Sequence, residues 1–208
     1  MNKVNALEYS IMVSFLTIML LGVNQGFSQT NDTQLKTYQN EELGVSFQYP
    51  SNWSEMDEQS RKQITEMMKQ SLIGQNLTIN EKAYSETESV TFLHNQDPNN
   101  FLGVTLVKYE FPSSISVEEF NQIAFKLTNL MGFKATLVEN VNTTISNQEA
   151  NRAAIMIDEG PAKGELISIA FFEGNTVTNL QLGAVNNEDQ ASVIEKIIDS
   201  IKINNQTF

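Results

Sequence analysis

Alternation between apolar and polar residues organises most of this chain. Val45, Phe47 and Tyr49 alternate with Ser46 and Gln48, the period of a half-buried strand, and Pro50 closes it. Gly44 just before suits a turn between two short strands. Ser89 to His94 is a short strand candidate, and Asp97-Pro98-Asn99-Asn100 reads as a turn. From Phe101 to Phe111, Leu102, Val104 and Leu106 share one side; Thr105, Val107, Tyr109 and Phe111 share the other. Four more strands are expected at about 135–145, 150–158, 164–173 and 176–185. Their links are Ser146-Asn147, Gly160-Pro161 with Gly164, and Gly174-Asn175, all short and rich in turn residues. Such links favour an antiparallel meander of hairpins.

Three stretches switch to helical spacing. Asp57 suits an N-cap for a helix running to about Ile73, with Ile64, Met67, Met68, Leu72 and Ile73 apolar and Gly74 beyond its end. Residues 75–88 are polar and read as a loop. Ser116-Val117-Glu118-Glu119 is a capping box, and the helix behind it places Phe120, Ile123, Ala124, Leu127, Leu130 and Met131 on one face before Gly132. Asn187-Glu188-Asp189-Gln190 opens a last helix, with Ala191, Ile194, Ile197, Ile198 and Ile201 facing the core. Strands mixed with helices in this order predict an α+β fold, an antiparallel β-sheet flanked by helices.

The N-terminus follows neither pattern. Ile11 to Val23 is an uncharged run of 13 residues. That is short for a bilayer span of about 20 residues and suits the apolar region of a signal peptide. Small residues at Gly26 and Ser28 place cleavage before Gln29, so residues 1–28 are expected to be a signal peptide or an N-terminal anchor. Residues 29–37 read as a polar linker. Export makes five Asn-x-Ser/Thr sequons, at Asn31, Asn52, Asn76, Asn142 and Asn205, candidates for glycosylation.

Composition then removes whole classes of chemistry. The 208 residues hold no cysteine and one histidine, which excludes disulfides, thiolate metal sites, cysteine nucleophiles and multi-histidine metal sites. A net charge of −12 argues against nucleic acid and anionic membrane surfaces as partners. No G-x-S-x-G elbow, Walker loop or dinucleotide fingerprint occurs, and Gly160 to Gly164 joins two strands rather than cradling phosphate. His94 near a strand end reads as a surface or partly buried loop residue rather than a general base or metal ligand. Trp53 reads as a core aromatic rather than a stacking platform. Of the adjacent carboxylate pairs, Asp57/Glu58, Glu118/Glu119 and Glu188/Asp189 sit at helix starts, where negative charge complements the dipole. Asp158/Glu159 at a hairpin tip is the best remaining candidate for a surface calcium or manganese site.

Residues 38–53, YQNEELGVSFQYPSNW, resemble the opening motif of PsbP-like domains, in which two short strands around a Gly turn end in Pro-x-x-Trp. Gly103 to Phe111, followed by Ser116-Val117-Glu118-Glu119-Phe120 and a helix ending at Gly132, is similar to that family's strand and helix start. The resemblance implies a domain over residues 38–208, an α/β/α sandwich around an antiparallel sheet, with 57–88 as a helical insertion. Photosynthetic members of that family are non-enzymatic extrinsic subunits of photosystem II that assist calcium and chloride retention and manganese cluster assembly. The basic residues that dock such proteins are sparse here. The expectation is therefore a secreted, non-enzymatic interaction or assembly module that meets a protein partner at the outer face of a membrane and requires no cofactor. The alternatives are a calcium- or manganese-binding protein using acidic loops and a hydrolase using a carboxylate pair.

Overall fold

A computed structural model describes residues 34–41, 43–60, 62, 88–94, 103–110, 114–121, 125, 134–159, 162–185 and 188–203. The signal peptide or anchor expected at 1–28 and most of the helical insertion expected at 57–88 lie outside the described residues. The strands are β1 (Leu35–Asn40), β2 (Val45–Pro50), β3 (Trp53–Glu55), β4 (Glu88–His94), β5 (Gly103–Glu110), β6 (Ala135–Ile145), β7 (Gln148–Glu159), β8 (Ala162–Glu173), β9 (Thr176–Val185) and β10 (Lys202–Ile203). The helix α1 spans Glu188–Asp199. Seven strands form one sheet in the order β3-β4-β5-β9-β8-β7-β6, and β1-β2-β10 form a second; every pairing is antiparallel.

The expected meander is present. β6 and β7 meet through Ser146-Asn147, β7 and β8 through Gly160-Pro161, and β8 and β9 through Gly174-Asn175, each a two-residue link. Ser146 and Asn147 both take positive φ, 54° and 63°, the backbone of a turn whose twist matches the flanking strands. Gly44 lies at φ 66° in the β1–β2 turn, where Asn40 Oδ1 accepts the Leu43 N–H at 2.9 Å. β1 begins at Leu35, so the chain is already paired within the stretch expected as a linker over 29–37.

Strand alternation sorts the large sheet into two unlike faces. Val90, Phe92, Val104, Leu106, Leu180, Leu182, Ile167, Ile169 and Phe171 lie on one face, and α1 and the small sheet cover it with Val45, Phe47, Ile194, Ile197, Ile198 and Ile201. An aromatic group seals the join: the Tyr38 ring lies 5.2 Å from those of Phe47 and Phe92, and Tyr49 lies 4.4 Å from Phe92. Ser200 ties α1 to the small sheet, accepting the Gln48 N–H at 2.7 Å on its hydroxyl. Ala191, expected to face the core, is exposed; Val193 packs there instead, because the apolar stripe of α1 is centred on Ile194, Ile197 and Ile198.

The helical segment beginning at Val117 covers the other face. Its capping box closes as expected, with Ser116 N–H donating to Glu119 Oε2 at 3.0 Å and Glu119 N–H to Ser116 Oγ at 3.2 Å. Phe120 is fully buried and meets Phe172 edge-on at 5.7 Å. The sheet thus carries helical cover on both faces.

Candidate functional site

The face beneath Phe120 carries a buried polar row among apolar residues such as Val107, Ile155, Leu166 and Val177. Thr91, Thr105, Gln181 and Ser168 occupy consecutive strands in register, β4 to β5 to β9 to β8, and all are buried. The Thr91 and Thr105 hydroxyls lie 3.1 Å apart, and Ser168 Oγ donates to Asn179 Oδ1 at 3.0 Å. Partnered hydroxyls and amides lower the cost of burying such groups. Asn179 Nδ2 is buried without a hydrogen-bond partner.

Toward the sheet edge this layer becomes an asparagine cluster. Asn121 Nδ2 donates to Asn140 Oδ1 and Asn151 Oδ1, both at 2.9 Å. Asn151 Nδ2 donates in turn to Asn140 Oδ1 at 2.9 Å, the Val141 carbonyl at 3.2 Å and Asn142 Oδ1 at 3.3 Å. The cluster fastens the segment beginning at Val117 to β6 and β7. On the opposite face Arg152 reaches Glu195 of α1 through both terminal nitrogens, at 2.8 and 3.2 Å, and Glu139 of β6 at 3.3 Å. Hydrogen bonding to Glu195 is the leading reason that the Arg152 guanidinium is held above its ordinary value, so it stays charged.

These two fastenings tie β6 into the end of the sheet, and no described strand pairs with its outer side. Leu137, Val138 and Val141 are the exposed large hydrophobics of this strand, at 38%, 54% and 46%. Between Leu137 and Glu139 the register shifts, so Val138 is a bulge residue. From Glu139 to Ile145 the ladder is regular, with one charge and neither lysine nor proline. Lysine, proline and repeated bulges are the common means of blunting an edge, and this stretch has none of them.

Of the residues singled out from sequence, Asn142 lies on this edge, and the other described ones do not gather around it. Asp158 and Glu159 end β7, where Lys163 occupies the register position opposite Asp158, and their side chains lie outside the described residues. No group of three His, Cys, Asp or Glu residues among the described ones could hold a metal ion. Trp53 is 3% exposed and packs in the core, not on a platform. His94 is the register partner of Trp53 at the end of β4, and its side chain lies outside the described residues. Of the sequons, Asn52 is exposed in the turn after β2 and Asn142 is exposed on β6; Asn31, Asn76 and Asn205 lie outside the described residues. Asp57 caps the turn at 58–60, accepting the Ser60 N–H at 2.8 Å and its hydroxyl at 2.7 Å, and these bonds hold its carboxyl below the usual 3.8.

The polar layer and the asparagine cluster were not expected from sequence. The signal was present in Asn179 and Gln181, which interrupt Leu180 and Leu182 in β9, and in Ser168 and Asn151. Polar residues at alternate positions read as a solvent-facing side, and only the helical cover makes them interior.

No helix among the described residues is long and apolar enough to cross a membrane. No family model matches the chain, and no curated protein matches it. Solved structures do. Cyanobacterial PsbP (CyanoP) from Synechocystis overlays with a TM-score of 0.55 at 12% identity, covering 86% of this chain and 98% of that one. LpqN, a Mycobacterium tuberculosis protein involved in cell envelope biogenesis, gives 0.45 at 16% identity over 84% of this chain and 92% of its own. A Bacteroides thetaiotaomicron protein gives 0.43 at 14% identity, over 83% of this chain and 50% of its own. The overlay with CyanoP, spanning nearly all of that protein, shows that this chain has a PsbP-like α+β fold.

Proposed function

We propose that the protein is a non-enzymatic, extracytoplasmic interaction module that assembles with a protein at the outer face of a membrane. The observation that carries this reading is the edge of β6, anchored by the asparagine cluster and Arg152 yet exposing Val138, Val141 and a regular ladder from Glu139. An open strand offers main-chain donors and acceptors to another strand, and its apolar side chains supply contact area. The uncharged run from Ile11 to Val23 supports placement outside the cytoplasm.

A photo-crosslinking residue at Val141, in the full chain expressed in its own cells, tests the reading. Crosslinked protein species in the envelope fraction are the expected result. A chain that crosslinks to nothing and is recovered free in the medium would refute it.

A further inference from the structure

We propose that the occupant of the β6 edge is β6 of a second copy, running antiparallel about a two-fold axis at Asn142. This rests on the reading of β6 as the interaction edge and names its partner. The two-residue turn makes Ile145 and Gln148 the closing hydrogen-bonded pair of the β6–β7 hairpin. Antiparallel pairs alternate, so Val141 and Thr143 direct their backbone groups to β7, while Asn140, Asn142 and Thr144 direct theirs outward.

That outward set is symmetric about Asn142 and so fits itself. In the two-fold pairing Asn140 lies opposite Thr144 of the second copy, and Asn142 opposite Asn142. On the face that carries Arg152, Val141 meets Thr143, a favourable pairing of β-branched residues, and Glu139 meets Ile145. Two seven-stranded sheets become one continuous sheet, and the isologous contact closes without leaving a further edge of β6.

Charge selects a second copy over most other approaches to it. A chain of net charge −12 repels its own copy over much of its surface. The stretch Glu139 to Ile145 holds one formal charge, Glu139, and Arg152 is bound to it at 3.3 Å. Two copies meeting here therefore bring no unpaired like charges face to face. A seven-residue ladder is a small interface, below about 1,200 Å², the size class of weak and transient complexes, so the expected dimer is weak, with Kd on the order of 10–500 μM.

Sedimentation equilibrium of the full chain, made in a bacterial host that adds no glycan at Asn142, tests the proposal between ~5 μM and ~1 mM, the span that brackets the expected Kd. The expected result is a monomer–dimer equilibrium, weakened at least tenfold by Val141→Lys and by Asn142→Lys, each of which sets like charges near the axis. Val141 is exposed, so Val141→Lys keeps the wild-type melting curve, which separates lost pairing from lost folding. A chain that stays monomeric throughout, or a dimer that both variants leave unchanged, overturns the proposal. Crosslinks at Val141 to a different envelope protein, from a chain monomeric when purified, overturn the second copy and leave the interaction module standing. No crosslink of any kind, with the chain recovered free in the medium and monomeric when purified, overturns both.

Discussion

Replacing Asn151 with alanine removes the centre of the asparagine cluster. The side chain is 2% exposed; it accepts one hydrogen bond from Asn121 and donates toward Asn140, the Val141 carbonyl and Asn142. Its amide has two hydrogens, so about two donated bonds and one accepted bond are lost, each contributing about 0.5–1.5 kcal/mol net. The sum is about 3 kcal/mol. For a domain of this size that lowers Tm by about 6–12 °C, at about 2–4 °C per kcal/mol. Asn142→Ala loses only the 3.3 Å contact from Asn151 and costs less than about 1 kcal/mol. Thermal melts followed by circular dichroism, together with urea midpoints at unchanged slope, measure both. If Asn151→Ala cost less than about 1 kcal/mol, or no more than Asn142→Ala, the cluster would not be what fastens the segment beginning at Val117 to β6 and β7.

Ser116→Ala opens the capping box and costs about 1 kcal/mol in the same melts. Gly174→Ala puts an L-residue at φ 60° in the β8–β9 turn; its added Cβ would meet nothing within 4 Å, so the loss is backbone strain alone, about 1–2 kcal/mol, and Gly174→Asn costs less. A double-mutant cycle between Arg152 and Glu195 yields about 0.5–1 kcal/mol of coupling that shrinks with added salt, because Glu195 is half exposed. The Asp57 carboxyl titrates below 3.8 in an NMR pH series, and Ser60→Ala moves it back up. Because its folded value is depressed, its stabilising contribution is complete above the unfolded value and lost as pH falls through the folded one.

Much of the fold was legible because its signals are local. The strands from Ala135 to Val185 follow from period-two alternation and three two-residue links, and the Ser116 and Asp57 caps follow from residue type and spacing alone. What escaped was set by partners distant in sequence. β3 and β10 are too short for a pattern to reveal; Trp53 and Lys202 become strand residues only by pairing with His94 and Ser46. Leu35 was lost in a polar stretch because its pairing with Pro50 lies 15 residues on.

The candidate edge shows the same division. Composition by itself determined that the chemistry of this protein excludes thiols and histidine clusters, and local pattern determined that residues 135–145 form a strand. Nothing in that strand says whether it lies at the centre of a sheet or at its end. Only the tertiary order β9-β8-β7-β6 left its outer side without a partner among the described strands, and only the segment beginning at Val117, packed through Phe120 and Asn121, turned Asn151 from a surface residue into an interior one. Strand formation depends on neighbours within a few residues, whereas exposure depends on which distant segments arrive to cover a face.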